Sequence, residues 1–342
     1  MKRIANNSNS ANPLRNTARR QDVDLFRGIG IICMILGHII VNDNTFNHII
    51  HSFHMPMFFI ISGMFWKPCD NFVAYFKKKA KSLLFPYFIF GVIHYVVYLI
   101  YYFHDPNMPK LTPLIRLIGN NTEGLPIAGA LWFLTALFFC EIFYACIEKA
   151  NSHIIRGIII TVLAVIGVLI PYLFSTRLPL ALDISFVCLP LFAFGHFYKR
   201  SDEFNKIWNL GLTISILGIG IIISIVNGTV NVRASHYSII PLFYIAALFI
   251  SIGLLKMSAV ISELTLPKII HSIIKELCFV GNNSIVYLIL NQLVILVLAK
   301  ICQFFPLSKP VVIVSVFAIT MIILHICVLI LNKKPVNKLL GK

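Results

Sequence analysis

The stretch RGIGIICMILGH, residues 27–38, places an arginine and a histidine at the two ends of an apolar segment. Imidazole takes up and returns a proton near neutral pH. A guanidinium stays charged and holds anions at any working pH. Eleven positions separate Arg27 from His38, about three helical turns, so they share a face yet stand about 16 Å apart along the axis. They cannot form a direct catalytic pair. A second histidine, His54, lies in FHMPMFFIISGMFW. Counted along two antiparallel helices, His38 falls about 20 Å and His54 about 18 Å from the same edge. Two imidazoles at one level suit general-base chemistry, with the second orienting a substrate, relaying a proton or stabilising an oxyanion. Covalent catalysis on His38 is the other option. Ser62 is a poorer nucleophile, since no base is evidently adjacent.

The elements that must hold these residues are membrane helices. Of the 342 residues 58% are hydrophobic and only 12% charged, and mean hydropathy is +0.86; a soluble domain carries roughly 25% charged residues. Ten runs reach the apolar length that a crossing requires: Leu25–Val41, Ile49–Trp66, Leu83–Phe103, Ile127–Ile147, Ile154–Phe174, Leu180–Tyr198, Leu210–Val226, Ser238–Leu255, Ile285–Phe305 and Val311–Leu331. The fold class is therefore all-α, a polytopic membrane protein of about ten transmembrane helices. Residues 1–22, polar and basic, read as a disordered tail, and 23–342 as a single transmembrane domain. The eight cysteines are scattered without a C-x-x-C pair, so neither a disulfide framework nor a metal site is expected.

The formal net charge of +16 would suggest nucleic acid in a soluble chain; here it reads as the positive-inside rule, with no nucleic-acid partner. If the ten spans alternate, twenty-two of the 29 Lys and Arg fall on the side of the two termini, six on the other, and Arg27 lies inside the first span. Both termini are then cytoplasmic.

Other polar residues have milder readings. Asp24 sits one turn before Arg27 and can pair with it. Gly28, Gly30 and Gly37 would let a helix or a slender ligand approach closely. Pro56 should distort the second span. The run Lys77–Lys81 either anchors the chain to anionic lipid or docks an anionic cytosolic ligand. Glu141, Asp183, Asn291 and Gln292 can knit helices together, as can His94, His196 and His325. LPKIIHSIIKEL is amphipathic and is expected along the membrane surface.

Four stretches carry a resemblance. DLFRGIGIICMILGH, with Arg27 and His38, is similar to the opening helix of the acyltransferase-3 family of bacterial integral membrane O-acyltransferases. FHMPMFFIISGMFW resembles its second helix at Phe53, His54, Pro56, Phe58, Phe59, Ser62 and Gly63. KKKAKSLLFPYFIF resembles its basic segment before a Pro-Tyr pair, here Pro86 and Tyr87, and LWFLTALFFCEIFY its fourth-helix pattern around Leu131 and Trp132. The family's arginines before Pro-Tyr are lysines here, chiefly Lys78 and Lys81, which keep charge but lose the bidentate fork. Many relatives carry histidine at the position of Asn291.

The resemblance implies a multi-pass protein of the bacterial cytoplasmic membrane. It implies an acyl-CoA donor, usually acetyl-CoA, used as substrate with no bound cofactor, and a cell-surface or exported glycan as acceptor. On this reading Lys78 and Lys81 meet the nucleotide end of the donor and Arg27 stands at its entry. A pantetheine arm of roughly 20 Å then brings the thioester to His38 as general base. His54 joins it in catalysis, with Asp24, Ser62 and Trp132 in support. A transporter or flippase for a lipid-linked glycan is the alternative, although no inverted repeat is evident.

Overall fold

A computed structural model describes residues 20–41, 44–123, 129–200 and 207–342. Helix accounts for 76%, and there is no strand among the described residues. Fourteen α-helices are described here: α1 Gln21–Ile39, α2 Thr45–Phe53, α3 Pro56–Met64, α4 Phe72–Lys79, α5 Phe85–Tyr101, α6 Thr112–Ile118, α7 Trp132–Ile147, α8 His153–Leu173, α9 Leu182–Arg200, α10 Leu210–Asn227, α11 Ile240–Glu263, α12 Lys268–Asn282, α13 Ser284–Cys302 and α14 Lys309–Leu331. Residues 1–19, most of the expected N-terminal tail, lie outside the described residues; Gln21 and Asp22, expected in that tail, begin α1.

Local chemistry sets the boundaries. Asn44, Asn71 and Asn209 cap α2, α4 and α10 by accepting backbone N–H groups of Asn47, Ala74 and Leu212, the usual use of a short side-chain oxygen at an N-cap. Pro56, Pro86, Pro113, Pro241 and Pro310 sit at helix starts, where a missing N–H costs no hydrogen bond. Before Pro86 the ladder slips into a π-turn over Ala80–Leu84, and the Phe85 N–H donates to the Ala80 carbonyl. A proline cannot donate to the carbonyl four residues back, and a wider turn absorbs that loss.

Seven helices among the described residues are long and apolar enough to cross a membrane: 72–101, 153–173, 179–200, 210–227, 240–263, 284–302 and 309–331. They match seven of the ten expected spans. The other three fall short for separate reasons. α1 has the length but carries Asp22, Asp24 and Arg27. The second expected span is broken at Pro56 into two helices of 9 residues, α2 and α3. The fourth is a helix of 16 residues, α7.

Two glycine crossings build the centre. A Cβ on Gly28 would strike the Leu277 backbone, and one on Gly281 would strike the Asp24 carbonyl, so α1 and α12 touch main chain to main chain. α3 and α9 meet the same way, Gly63 against the Phe192 carbonyl and Gly195 against the Ile60 carbonyl. Small residues permit such approaches where lipid supplies no hydrophobic drive. At Gly28 the close neighbour is therefore a helix. α12 holds α1 through its second half; Ile269, Ile270 and Ile273 of its first half remain exposed. The expected surface helix is thus also a structural clamp.

Candidate functional site

The start of α1 is called the proximal face below and its end the distal face. A cavity of about 500 Å³ opens at the distal face. Gly37 and His38 of α1, His48 and His51 of α2, His54, Trp132, the segment Thr229–Arg233 and Gln292 of α13 line it. It is large enough for a small-molecule substrate.

His54 owes its place to the broken second span. The chain leaves α2 at His54 and re-enters helix at Pro56. The turn leaves the imidazole buried on the cavity wall. Its Nδ1 lies 2.8 Å from the Ile50 carbonyl. A carbonyl only accepts, so Nδ1 carries the hydrogen and Nε2 of the neutral ring is an acceptor. In that state His54 cannot donate to an oxyanion. It can accept a hydroxyl proton.

His38 is half-buried near the end of α1. The Gln292 Nε2 stands 3.2 Å from its Nδ1 and 3.3 Å from its Nε2. The amide can donate to whichever ring nitrogen lacks a proton. The Gln292 Oε1 is buried without a hydrogen-bond partner among the described residues. A Cβ built on Gly129 would run into this oxygen and fall 2.6 Å from Arg233 Nη1. Gly129 thus lets the amide and the guanidinium converge on one point of the wall.

Arg233 arrives on the connection between α10 and α11, pinched by a bridge between Asn231 and His236. Arg177 anchors that connection. Its guanidinium pairs with the fully buried Asp183, and Nη2 donates to Ser235 Oγ at 2.6 Å. Nη1 donates to the Arg233 carbonyl at 3.5 Å. Arg233 Nε donates to the Thr122 carbonyl at 2.5 Å. Burial lowers the pKa of this guanidinium from its ordinary value, and Glu123 partly opposes that.

A second, smaller cavity of about 200 Å³ opens at the proximal face, lined by Arg20, Asp22, Met64, Tyr198, Lys199, Leu255, Lys256 and Ala259. Arg20 pairs with Asp22 at 2.6 Å. Arg27 and Lys199 both approach the Phe65 ring, at 5.5 and 5.0 Å from its centroid. Lys256 lies over Tyr198 and Trp208. Three basic residues against one acid give this cavity a net positive lining.

The sequence-predicted residues divide accordingly. His38, His54 and Trp132 meet at the distal cavity. Arg27 lines neither cavity; it shares the Phe65 ring with Lys199, which lines the proximal one. Asp24 is buried at the crossing with α12. Lys78 and Lys81 are exposed and line neither cavity. Lys79 of the same run is turned inward onto Glu141, which also accepts from the Tyr75 hydroxyl at 2.7 Å. Glu141 therefore joins α4 to α7, as expected of a knitting residue. Ser62 also lines neither cavity. Asn291 bonds its own helix at Tyr287 and Leu288. His196 meets Tyr144, and His325 meets Glu276. His94 is buried with no partner for either nitrogen among the described residues, contrary to the expected helix–helix bond. Among the described residues no cluster of three or more His, Cys, Asp or Glu could hold a metal.

Arg233, Gln292, Lys199 and Lys256 were not singled out as site residues. Gln292 showed only as a polar residue inside an apolar run. The others looked like ordinary basic residues of the connections between spans.

A family model described as an acyltransferase domain matches residues 20–331. The chain belongs to the acyltransferase-3 family. The match spans both cavities, so the two histidines and the basic proximal site belong to an acyltransferase of a multi-pass membrane type. No curated protein and no solved structure matches the chain.

Proposed function

We propose that this acyltransferase moves an acetyl group from cytosolic acetyl-CoA to a hydroxyl of a cell-surface or exported glycan, in the bacterial cytoplasmic membrane. The observation that carries the reading is the meeting of His38 and His54 in one cavity at the end of α1 opposite a basic one. The chain crosses the membrane ten times, counting α1, the α2–α3 pair and α7 as crossings. Both termini and the proximal cavity face the cytosol, in keeping with the lysine and arginine bias.

The nucleotide end of the donor rests on Arg20, Lys199 and Lys256, with Arg27 at the entry. This departs from the sequence expectation of Lys78 and Lys81, which line neither of the two cavities. From Asp22 to His38 is 16 residues, about 24 Å at 1.5 Å each, close to the reach of an extended pantetheine arm. Gly30 lies on the way. The atoms nearest a Cβ there belong to the Met57 and Phe58 side chains rather than to backbone. Methionine yields readily, so the arm passes at Gly30 where it cannot at Gly28.

At the distal end His38 takes the proton of the acceptor hydroxyl as its oxygen attacks the thioester carbonyl. The tetrahedral intermediate collapses, the C–S bond breaks, and the CoA thiolate recovers the proton from His38. His54, with Nδ1–H tied to Ile50, accepts a hydrogen bond from a neighbouring acceptor hydroxyl and fixes its orientation. Trp132 supplies an apolar wall.

Mass spectrometry of surface glycans from cells with and without the gene tests the reading. Loss of an acetyl increment of glycan mass in the deletion is the expected result. Loss of the whole glycan with no change in acylation would point to a carrier for a lipid-linked glycan instead.

A further inference from the structure

The walls of the distal cavity carry four histidines and Arg233, and no Asp or Glu among the described residues lines it. The other arginine nearby, Arg177, is neutralised by buried Asp183. Arg233 has no such partner in the wall. Glu123, the acid that acts on it, is exposed, and Arg116 holds that residue by its carbonyl. Among the described residues only Nε of Arg233 is committed, to the Thr122 carbonyl. Nη1 faces Gly129 beside Gln292. The backbone that carries Arg233 is itself pinned by Arg177 and by the Asn231–His236 bridge. A half-buried, fixed guanidinium whose acidic neighbour among the described residues, Glu123, is exposed is costly to a protein and matches carboxylate or phosphate.

We propose that Arg233 is the specificity residue for an anionic acceptor, a polyol or sugar that bears a carboxylate or phosphate beside the hydroxyl to be acylated. The inference rests on the acyl-transfer reading above and names its substrate class. The anion binds Nη1 and Nη2 of Arg233. The buried Gln292 Oε1 accepts from an adjacent hydroxyl, and the reacting hydroxyl turns toward His38. Gly129 is required because any side chain there would fill the space in which Arg233 and Gln292 converge.

The test uses the purified full-length protein in detergent with labelled acetyl-CoA and three soluble acceptors: a methyl glucuronide, a polyol phosphate and the neutral methyl glucoside. The wild type should use one or both charged acceptors with kcat/KM at least about tenfold above the neutral one, the scale of a charge-assisted hydrogen bond. Which of the two is preferred distinguishes carboxylate from phosphate. Arg233→Ala should lower kcat/KM for the charged acceptors about tenfold more than for the neutral one, and Arg233→Lys should restore part of the preference. Equal use of charged and neutral acceptors by the wild type overturns this inference while leaving acyl transfer intact. An equal fall on all acceptors in Arg233→Ala overturns it too, since that is the mark of a structural role. Absence of transfer to any acceptor by the wild type, with acetyl-CoA still bound, overturns the acyl-transfer reading and this inference with it.

Discussion

The side-chain amide of Gln292 stands 3.2 and 3.3 Å from the two ring nitrogens of His38, although 254 positions separate them in the chain. Because its nitrogen is nearly equidistant from both, the amide holds the imidazole ring in place on the cavity wall. Gln292→Ala removes that support without touching the donor site. It should lower kcat about tenfold, the worth of one hydrogen bond to a reacting group, with KM for acetyl-CoA unchanged. Steady-state kinetics with the donor varied checks this.

His38 and His54 should fail in different ways. On the proposed mechanism His38→Ala removes the base, and kcat should fall by about 10²–10⁴. His54→Asn keeps a polar group of similar size but not the ring acceptor opposite the Ile50 bond. Its main effect should be on KM for the acceptor, with a smaller fall in kcat. Acceptor-dependence curves for the two variants distinguish these roles.

The proximal cavity, rather than the lysine run, should set donor affinity. Lys199→Ala combined with Lys256→Ala should raise KM for acetyl-CoA, more so at low ionic strength where screening is weak. Lys78→Ala combined with Lys81→Ala should leave it unchanged, because those side chains line neither cavity. The comparison is made over a range of salt concentrations.

Glycines of α1 should divide sharply. Gly28→Ala drives a methyl group into the Leu277 backbone, so it should part α1 from α12 and cut the yield of monodisperse protein. Gly30→Ala meets the Met57 thioether, a flexible side chain rather than backbone, at 2.5 Å. It should assemble normally and show its effect as a raised KM for acetyl-CoA. Size-exclusion chromatography followed by kinetics resolves the two.

Part of this arrangement was legible in the sequence. An ionisable residue inside an apolar run is expensive, so His38 and His54 stood out as candidates, and Pro56 correctly marked the break that sets His54 on the wall. The seven helices long and apolar enough to cross a membrane followed from hydropathy alone. Residues whose role depends on long-range packing were not legible. Arg233 is one of several basic residues in connections, and only the Arg177–Asp183 pair and the Asn231–His236 bridge turn it into the cavity. Lys78 and Lys81 drew notice because they are neighbours in sequence, whereas Lys199 and Lys256 become neighbours only when α9 and α11 pack.

The central claim is that His38 performs acyl transfer at the far end of the first helix. The direct measurement is transfer of label from acetyl-CoA, added to the cytosolic face of inverted membrane vesicles, to envelope glycan. The wild type should transfer label. His38→Ala, inserted at the same level, should transfer less than about one hundredth as much. Wild-type transfer by His38→Ala would contradict the account.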